Sequence, residues 1–405
     1  MHVRRRKPVL ILAALSGLSL TFSLLPTASA ATTAFTSRLA PRPGQWTKVT
    51  TTLSSPSDIG LARGADGVLH VIWAAGTTGS FRISDTPVSP AGAVGRPVTI
   101  AKHLFSVNDP DATVTSHGLA AFWDEVKSRS PKSPVGIAEA TRPARGGSWQ
   151  LAGVTPTTFD WLSSVAAAPG PNGTAWVDFE NSTGIAVDHS GSPVRELSYP
   201  ACCVIEEGIG TDSKTGTAWA TYLSEVPGHG GLFAQQLTPA GLRTGSPALL
   251  PGSGTNGGAL VIEQRLTATG LGGSRPGVYV TYRTGGHAIA HHLELYRLGA
   301  KAPVSLATFT LNDAIGGSTL TADPAGRLWV AWFRVLDGRP LLFVRRAKSG
   351  ASQFGQPEKV SLPKGTANVT EVYLNASATR LDVLALLTVH GTTAYWTTQV
   401  LPPKQ

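Results

Sequence analysis

TADPAGRLWVAWF, residues 321–333, is the stretch that decides the fold class. Its Asp-Pro-Ala-Gly segment has the composition of a tight turn, because proline presets φ and glycine tolerates a positive φ. After the turn, Leu328, Val330 and Trp332 alternate with the residues between them, so they share one face of a strand with period 2. The stretch therefore predicts a β-hairpin.

The second strand of this hairpin recurs along the whole chain. Its seven copies end 43 to 60 residues apart, at Trp73, Trp123, Phe179, Tyr222, Tyr282, Trp332 and Leu386. Between the hairpins a second pattern recurs, Gly-x-Pro or Gly-x-Trp followed by an alternating run, weakened once to Lys301-Ala302-Pro303. A proline that heads a strand belongs on a sheet edge, where its missing N–H costs no ladder bond. With a third alternating run in each repeat, the patterns predict four strands per repeat.

These repeats predict an all-β fold, a seven-bladed β-propeller of four-stranded antiparallel blades. The first edge pattern, at Gly44, precedes the first inner strand, and the sequence ends after a middle strand near Val400. We therefore expect the N-terminal strand, from Trp46 to Leu53, to complete the last blade. Six or eight blades are the alternatives. A two-sheet sandwich would not need a repeat of this length.

Residues 1–30 have the composition of an export signal. Four basic residues at 4–7 precede an apolar stretch at 9–25 and the small-residue ending Ala28-Ser29-Ala30. We expect cleavage after this ending and a secreted, extracellular mature chain. A retained membrane anchor is the alternative, but the apolar stretch is shorter than the roughly 20 residues that a span needs.

The mature chain is then expected to have a tether at 31–42 and the propeller at 43–403. Removal of the signal leaves 30 basic and 25 acidic residues, a formal net charge of +5 instead of +9. The basic residues are scattered and not interleaved with aromatic residues, which argues against nucleic-acid binding. With 41% hydrophobic residues, the 45 glycines and 29 prolines describe a turn-rich globular chain and not a disordered one. We expect a monomer without a membrane span.

Three hairpin segments, LTADPAGRLWVAW, GTDSKTGTAWATY and GLARGADGVLHVIW, resemble the inner hairpins of bacterial propellers of the NHL, lyase-like and two-component-regulator types. The resemblance covers most of the mature chain and implies the propeller fold, not a function. A weaker resemblance is to BNR, or sialidase-like, propellers, which carry Asp boxes of the form S-x-D-x-G-x-x-W. The nearest match runs from Asp212 to Trp219, but it has three residues between Asp and Gly where the box has one.

Propellers usually bind ligands where the innermost strands enter the central channel. Nine positions before the hairpin turns, four repeats carry an acid: Asp58, Asp109, Glu207 and Glu371. The other three repeats carry Ser164, Ala268 and Gly317, and Asp160 lies shortly before the first of these. Clustered carboxylates repel one another unless a cation lies among them or their pKa values rise. The sequence thus predicts a site at the channel mouth for Ca²⁺ or for a polar cationic or sugar ligand. The alternative is that these acids cap turns and face water.

Two further features belong to the predicted site. Asn108-Asp109-Pro110-Asp111 is the densest group of oxygen ligands, which makes Asp109 and Asp111 the candidate metal ligands, although an EF-hand continuation is missing. Trp161, next to Asp160, is a candidate stacking platform for a sugar. The alternative for this tryptophan is packing between blades.

Cys202 and Cys203 are the only cysteines, and they are adjacent. In an exported chain they can pair within the chain only with each other, which predicts a vicinal disulfide. Such a bridge is strained, because neighbouring Cα atoms lie ~3.8 Å apart and disulfides usually begin near ~4.4 Å. It would lie on the loop before Glu207 and offer a rigid apolar surface to a ligand. The alternative is a pair of free thiols.

Three functional hypotheses follow. The first is a secreted binding or scaffold protein whose ligand is a glycan, a cell-surface polymer or a protein. The second is a glycan-active hydrolase or lyase of the sialidase-like type, with two carboxyls as acid and base. A sialidase would also need converging arginines and a tyrosine nucleophile, for which Arg265, Arg283 and Tyr373 are candidates. A redox enzyme is a third hypothesis, but the sequence has no cofactor-docking motif.

Overall fold

The computed structural model describes most of the chain beyond residue 39. The described residues are 40–51, 53, 58–126, 135–156, 162–181, 184–189, 195–198, 204–212, 214–224, 230–254, 268–271, 276–285, 292–309, 313–349 and 353–402. They contain 29 β-strands and one short 3₁₀ turn, Pro171–Gly173. No helix in this part of the chain is long and apolar enough to cross a membrane.

The strands assemble into sheets in chain order, after a first short strand, β1 (Thr47–Lys48). Sheet 1 contains β2 (Gly60–Arg63), β3 (Leu69–Ala75), β4 (Phe81–Val88) and β5 (Val98–Leu104). Sheet 2 contains β6 (Asp111–Thr115), β7 (Gly118–Val126), β8 (Val135–Pro143) and β9 (Gln150–Pro156). Sheet 3 contains β10 (Leu162–Pro169), β11 (Ala175–Asn181), β12 (Gly184–His189) and β13 (Arg195–Ser198).

The remaining sheets follow the same plan. Sheet 4 contains β14 (Val204–Thr211), β15 (Ala218–Ser224), β16 (Gly231–Leu237) and β17 (Arg243–Leu249). Sheet 5 contains β18 (Ala268–Leu271), β19 (Gly277–Thr284), β20 (His292–Arg297) and β21 (Val304–Thr308). Sheet 6 contains β22 (Asp313–Ala322), β23 (Leu328–Leu336), β24 (Arg339–Ser349), β25 (Gln353–Phe354) and β26 (Glu358–Val360). Sheet 7 contains β27 (Thr366–Ala376), β28 (Leu381–Val389), β29 (Thr392–Val400) and β1.

All these sheets are antiparallel, and each begins with its innermost strand. First strands of successive sheets contact one another, from β2 through β6, β10, β14, β18 and β22 to β27, and β27 contacts β2. Sheets arranged radially in this way form a β-propeller. The predicted all-β propeller with four-stranded antiparallel blades is therefore confirmed, except that in sheet 6 the fourth position is divided between β25 and β26, which both pair with β24. Its first strands surround the axis, and the apolar cores lie between neighbouring sheets.

The N-terminal strand pairs within the last sheet. β1 runs antiparallel to β29, with Thr47 opposite Thr397. Just beyond β1, the N–H of Val49 donates to the carbonyl of Tyr395 at 2.8 Å. Early and late residues of the described chain thus share one sheet, as the edge pattern at Gly44 predicts, but the strand spans only Thr47–Lys48 instead of Trp46 to Leu53, and single backbone bonds from Val49 and Leu53 continue the contact.

The hairpin predicted at 321–333 is formed by β22 and β23, with Ala322 opposite Leu328. In its turn, Asp323 Oδ1 accepts the N–H of Ala325 at 3.0 Å and that of Arg327 at 2.9 Å, and Gly326 has a φ of 75°. Alternate residues of β23 pack into the cores on the two sides of sheet 6. The turn residues and the period-2 pattern act as the sequence predicts.

One edge strand departs from the expectation that proline comes first. Pro97 directly precedes β5, but Pro247 lies inside β17. There the pairing with β16 jumps from Thr244 to Ala248, so Pro247 lies in an irregularity of the ladder. Because a bulge leaves its extra residues unpaired, the missing proline N–H costs no hydrogen bond.

Candidate functional site

Three of the acids singled out in the sequence lie together where first strands approach the axis. Asp58 precedes β2, Asp109 precedes β6, and Glu371 lies on β27. The N–H of Asp58 donates to Asp109 Oδ1 at 2.9 Å. Both aspartates are close enough to Glu371 for their charges to act on its carboxyl. The structure thus brings acids from sheets 1, 2 and 7 into one cluster, which we call the carboxyl cluster.

Two tyrosines hold the Glu371 carboxyl. Oε2 accepts a hydrogen bond from the Tyr373 hydroxyl at 3.2 Å and another from the Tyr395 hydroxyl. Burial raises the pKa of Glu371 to about 8, the charges of Asp58 and Asp109 add to the rise, and the tyrosine hydrogen bonds oppose it. Glu371 is therefore mostly protonated at neutral pH.

Tyr395 itself is fully buried on β29. Burial raises its pKa well above the ordinary value, and the charges of Glu371 and Asp58 add to that effect. The hydroxyl therefore keeps its proton and acts as a donor. In the ladder, Glu371 lies opposite Leu386 of β28, which in turn lies opposite Tyr395. The two polar side chains thus belong to one row across sheet 7.

A further buried carboxyl borders the cluster. Asp124, on β7, is 1% exposed, and it accepts the backbone N–H of Asn108 at Oδ1 and the Asn108 side-chain amide at Oδ2, at 3.0 Å. Burial raises the pKa of Asp124 to about 7; the Asn108 hydrogen bonds oppose this rise, and the charge of Asp109 adds to it. Asp124 and Asp58 therefore hold the Asn108-Asp109 segment from two sides.

Bulges help to direct side chains at this end of the sheets. The ladder register shifts within four first strands, β10, β14, β22 and β27. A bulge adds a residue and changes the direction of its neighbours, and bulges are frequent near binding sites. In β22 the close packing requires glycine, because a Cβ on Gly316 would lie 1.6 Å from the Phe333 ring. In β27, Glu371 directly follows the shift.

The two candidate metal ligands have other partners. Asp111 accepts the N–H of Ala112 at 2.8 Å and that of Ala167, on β10, at 2.7 Å. Its carboxylate thus ties sheet 2 to sheet 3, while Asp109 accepts the N–H of Asp58. Among the described residues, no three His, Cys, Asp or Glu side chains are grouped as a metal site requires. The calcium hypothesis at Asp109 and Asp111 stays a prediction, without a third such ligand in this part of the chain.

The other residues that the sequence predicts for the site lie wholly or partly outside the described part of the chain. Those outside the described residues are Asp160, Trp161, Cys202 and Cys203. Glu207 lies on β14, at the register shift between Ile205 and Gly208, but its side chain is outside the description as well. The stacking platform and the vicinal disulfide stay predictions.

Of the three candidate sialidase residues, the structure describes two, and these two bind different partners. Arg265 lies outside the described residues. The Arg283 guanidinium donates to the carbonyl of Ile315, which links sheet 5 to sheet 6. Tyr373 donates to Glu371 and so belongs to the carboxyl cluster.

Two residues of the site carry signals that the strand patterns do not use. Tyr395 lies on a third strand, whereas the predicted acids lie on or just before first strands; its signal is a tyrosine in the run AYWTTQ, residues 394–399. Asp124 directly follows the aromatic pair Phe122-Trp123 within the buried strand β7, in GLAAFWDE, residues 118–125. An acid at such a position is worth noting, because burial perturbs its pKa.

Comparison with known proteins finds similarity of fold only. No family model matches the sequence, and no curated protein matches it. A protein of unknown function from Dyadobacter fermentans is similar in structure, with a TM-score of 0.53 and 10% identity over 88% of this chain and 98% of that one. A catalytically inactive virginiamycin B lyase from Staphylococcus aureus, solved with quinupristin, has a TM-score of 0.52 and 12% identity over 88% of this chain and 99% of that one. The β-propeller domain of the trilobed protease from Pyrococcus furiosus has a TM-score of 0.47 and 8% identity over 87% of this chain and 96% of that one.

Proposed function

We propose that this chain is an exported β-propeller that binds a polar, positively charged ligand at the carboxyl cluster. In this proposal the seven sheets are the blades of one closed ring, and the ligand is a glycan, a cell-surface polymer or a protein that presents an amine or guanidinium group. The supporting observation is that the charges of Asp58 and Asp109 act on the carboxyl of Glu371 and raise its pKa. A cation among these carboxyls would relieve their repulsion and favour the ionised form of Glu371.

Cation binding at this site should depend on the pH. Burial, with the nearby aspartates, raises the pKa of Glu371 to about 8, so below that pH the carboxyl is neutral and attracts a cation weakly. Cation binding should therefore strengthen as the pH rises from 7 to 9. A ligand that prefers the neutral carboxyl would show the opposite trend.

Isothermal titration calorimetry with two probes, 1,5-diaminopentane for an amine and methylguanidinium chloride for a guanidinium, tests this proposal at pH 7 and pH 9. At pH 9, where the wild-type carboxyl is ionised, Glu371→Gln should weaken binding of the probe that fits by roughly tenfold, the scale of one hydrogen bond to a charged group, and it should abolish the pH dependence. Asp212→Asn is the matched control, because Asp212 accepts the N–H of Lys214 in the turn at the far end of a first strand. Absence of binding by both probes at pH 9, or equal affinity of the wild type and Glu371→Gln at pH 9, would refute the proposal.

One observation favours the second hypothesis, a glycan-active hydrolase or lyase. Since the pKa of Glu371 is raised to about 8 by burial and by its acidic neighbours, its carboxyl holds a proton at pH 7 and can act as a general acid. Asp58 or Asp109 would then serve as the base. This hypothesis expects wild-type protein to release reducing ends or unsaturated sugars from a glycan panel, and Glu371→Gln to release none. Equal release by both proteins would remove Glu371 as the acid.

A further inference from the structure

The N-terminal segment lies against the backbone of Tyr395. The N–H of Tyr395 donates to Thr50 Oγ1 at 3.0 Å, and its carbonyl accepts the N–H of Val49 at 2.8 Å. Thr50 and Val49 are each 4% exposed, so water does not readily replace these bonds. The peptide groups of Tyr395 are therefore held by two successive residues of another part of the chain.

The same segment is anchored on its other side to sheet 1. The Thr86 hydroxyl donates to the carbonyl of Val49 at 3.3 Å, and the Trp73 indole donates to the Thr86 hydroxyl at 2.9 Å. Val49-Thr50 thus joins sheet 7 to sheet 1 at the place where Tyr395 is held. A shift of this segment would carry Tyr395 with it.

Tyr395 transmits this placement to the carboxyl cluster. Its hydroxyl donates to Glu371 Oε2, and its ring packs against that of Tyr373, with centroids 6.1 Å apart and planes inclined at 62°. Because Tyr395 is fully buried, the position of its hydroxyl depends on the position of its backbone.

We propose that Val49-Thr50 is a positioning element of the carboxyl cluster, which holds Tyr395 where its hydroxyl can donate to Glu371. The consequence for ligand binding rests on the proposed function, but the positioning itself does not. Thr50 acts through Tyr395 and touches no ligand in this proposal.

The consequence for Glu371 has a definite direction. The groups that face its carboxyl are Asp58 and Asp109, from the segments before β2 and β6, and Tyr373 and Tyr395, from β27 and β29. The tyrosine hydrogen bonds stabilise the ionised carboxylate and so lower its pKa against the larger effect of burial. Loss of the Tyr395 bond should therefore raise the pKa of Glu371 further above about 8.

The experiment is a ¹³C NMR titration of the glutamate carboxyl carbons in full-length protein from pH 5 to pH 10, with Glu371→Gln to assign the signal. Thr50→Val removes the hydroxyl at nearly constant shape and should move the Glu371 midpoint upward, in the same direction as Tyr395→Phe. Thr50→Ser keeps the hydroxyl and should restore the wild-type midpoint. If Thr50→Val does not fold, Thr50→Cys, whose sulfur is a weaker acceptor, replaces it and should shift the midpoint the same way.

A matched control separates this effect from general loosening of the N-terminal segment. The Thr398 hydroxyl donates to the carbonyl of Gln45 at 3.1 Å, so Thr398→Val removes another bond between β29 and the same segment. It should leave the Glu371 midpoint unchanged. An unchanged midpoint in folded Thr50→Val, or an equal shift in Thr398→Val, would overturn the proposal. Because no ligand is added, failure of cation binding leaves this result interpretable.

Discussion

Asp178 is a buried carboxyl that the candidate site does not use. It lies on β11 and is fully buried, and among the described residues its carboxyl oxygens accept no hydrogen bond of normal geometry; only the backbone N–H of Phe179 opposes the effect of burial on the pKa. Burial raises its pKa well above the ordinary value of 3.8, so the folded chain keeps this carboxyl protonated to a higher pH than the unfolded chain does. Equivalent positions in two other hairpins, AWATY and LWVAW, carry Thr221 and Ala331. Asp178 thus introduces an acid at a position that is otherwise apolar or weakly polar.

Asp178 should make the free energy of unfolding decrease as the pH rises. The unfolded chain ionises Asp178 near its ordinary pKa of 3.8, whereas the folded chain does so only at much higher pH. The contribution of Asp178 to the free energy of unfolding is therefore fully present below pH 3.8, and it is lost as the pH rises toward the pKa of Asp178 in the folded chain. Asp178→Leu, of similar shape, should raise the free energy of unfolding at pH 7 by roughly 1–3 kcal/mol, the cost of an unsatisfied buried polar group. Urea denaturation at pH 4 and pH 7 should show the larger gain at pH 7.

Asp178→Asn separates the charge from the shape in this test. It keeps two polar atoms in the same place but cannot ionise, so it should remove the pH dependence and keep part of the burial cost. Loss of stability at pH 7 in Asp178→Leu would contradict the interpretation of Asp178 as an unsatisfied group.

At the scale of elements, the hairpin of sheet 6 is organised by a carboxylate. Asp323 is 3% exposed; its side chain accepts two backbone N–H groups of the turn and the guanidinium groups of Arg327, at 2.9 Å, and Arg346, at 3.1 Å. Burial alone would raise the pKa of Asp323, but the hydrogen bonds from Arg327 and Arg346 outweigh it and lower the pKa below its ordinary value. Arg346 also lies 4.9 Å from the Trp329 ring centre. Asp323 thus binds both the turn and the third strand of sheet 6, β24, and we call it the anchor of this hairpin.

Removal of this anchor should be costly. Breaking a buried ion pair by removing one partner costs about 3–5 kcal/mol, and we expect about 2–3 kcal/mol for Asp323→Ala because both arginines keep some contact with solvent. Asp323→Asn retains the turn acceptor and should lose less. The wild-type contribution is present above pH 3.8 and is lost as the pH falls through the lowered pKa, so the difference should fade in acid. Equal denaturation midpoints for Asp323→Ala and the wild type at pH 7 would argue against the anchor.

The elements could be predicted from the sequence because their causes are local. Turn residues such as Gly326 and alternating strands such as Leu328–Leu336 lie within a few positions of one another, so their pattern is visible in the chain. The pairing of Glu371 with Tyr395 depends instead on ladder register across a third strand, which strand patterns alone do not specify. The bulge that accommodates Pro247 has the same kind of cause. The hairpin positions predict that Asp58, Asp109 and Glu371 lie near one another, as they do in the structure, but they do not specify the burial and the partners of these acids.

At the scale of the whole molecule, a partly buried ion pair joins the first sheet to the last. Arg63, on β2, binds Asp382, on β28, and its Nε donates to the side chain of Asn375 at 3.0 Å. Asp382 is 1% exposed and also accepts the Gln399 side-chain amide at 2.8 Å. Arg63 thus contacts two strands of sheet 7, the sheet that contains the N-terminal strand. The junction between sheets 7 and 1 therefore depends on charge as well as on apolar packing.

A double-mutant cycle measures what this pair does for the junction. Arg63→Met leaves the Asp382 carboxylate buried with an amide partner and should cost about 3 kcal/mol, whereas Arg63→Met with Asp382→Leu should cost less, because no charge is then left uncompensated. Hydrogen–deuterium exchange should show faster exchange on both sides of the junction, in β2 and in β27. Arg327→Met is the control, since its partner Asp323 belongs to the same sheet, and it should affect sheet 6 alone. Faster exchange confined to β2 in Arg63→Met would mean that the pair stabilises one hairpin and not the closure between sheets 7 and 1.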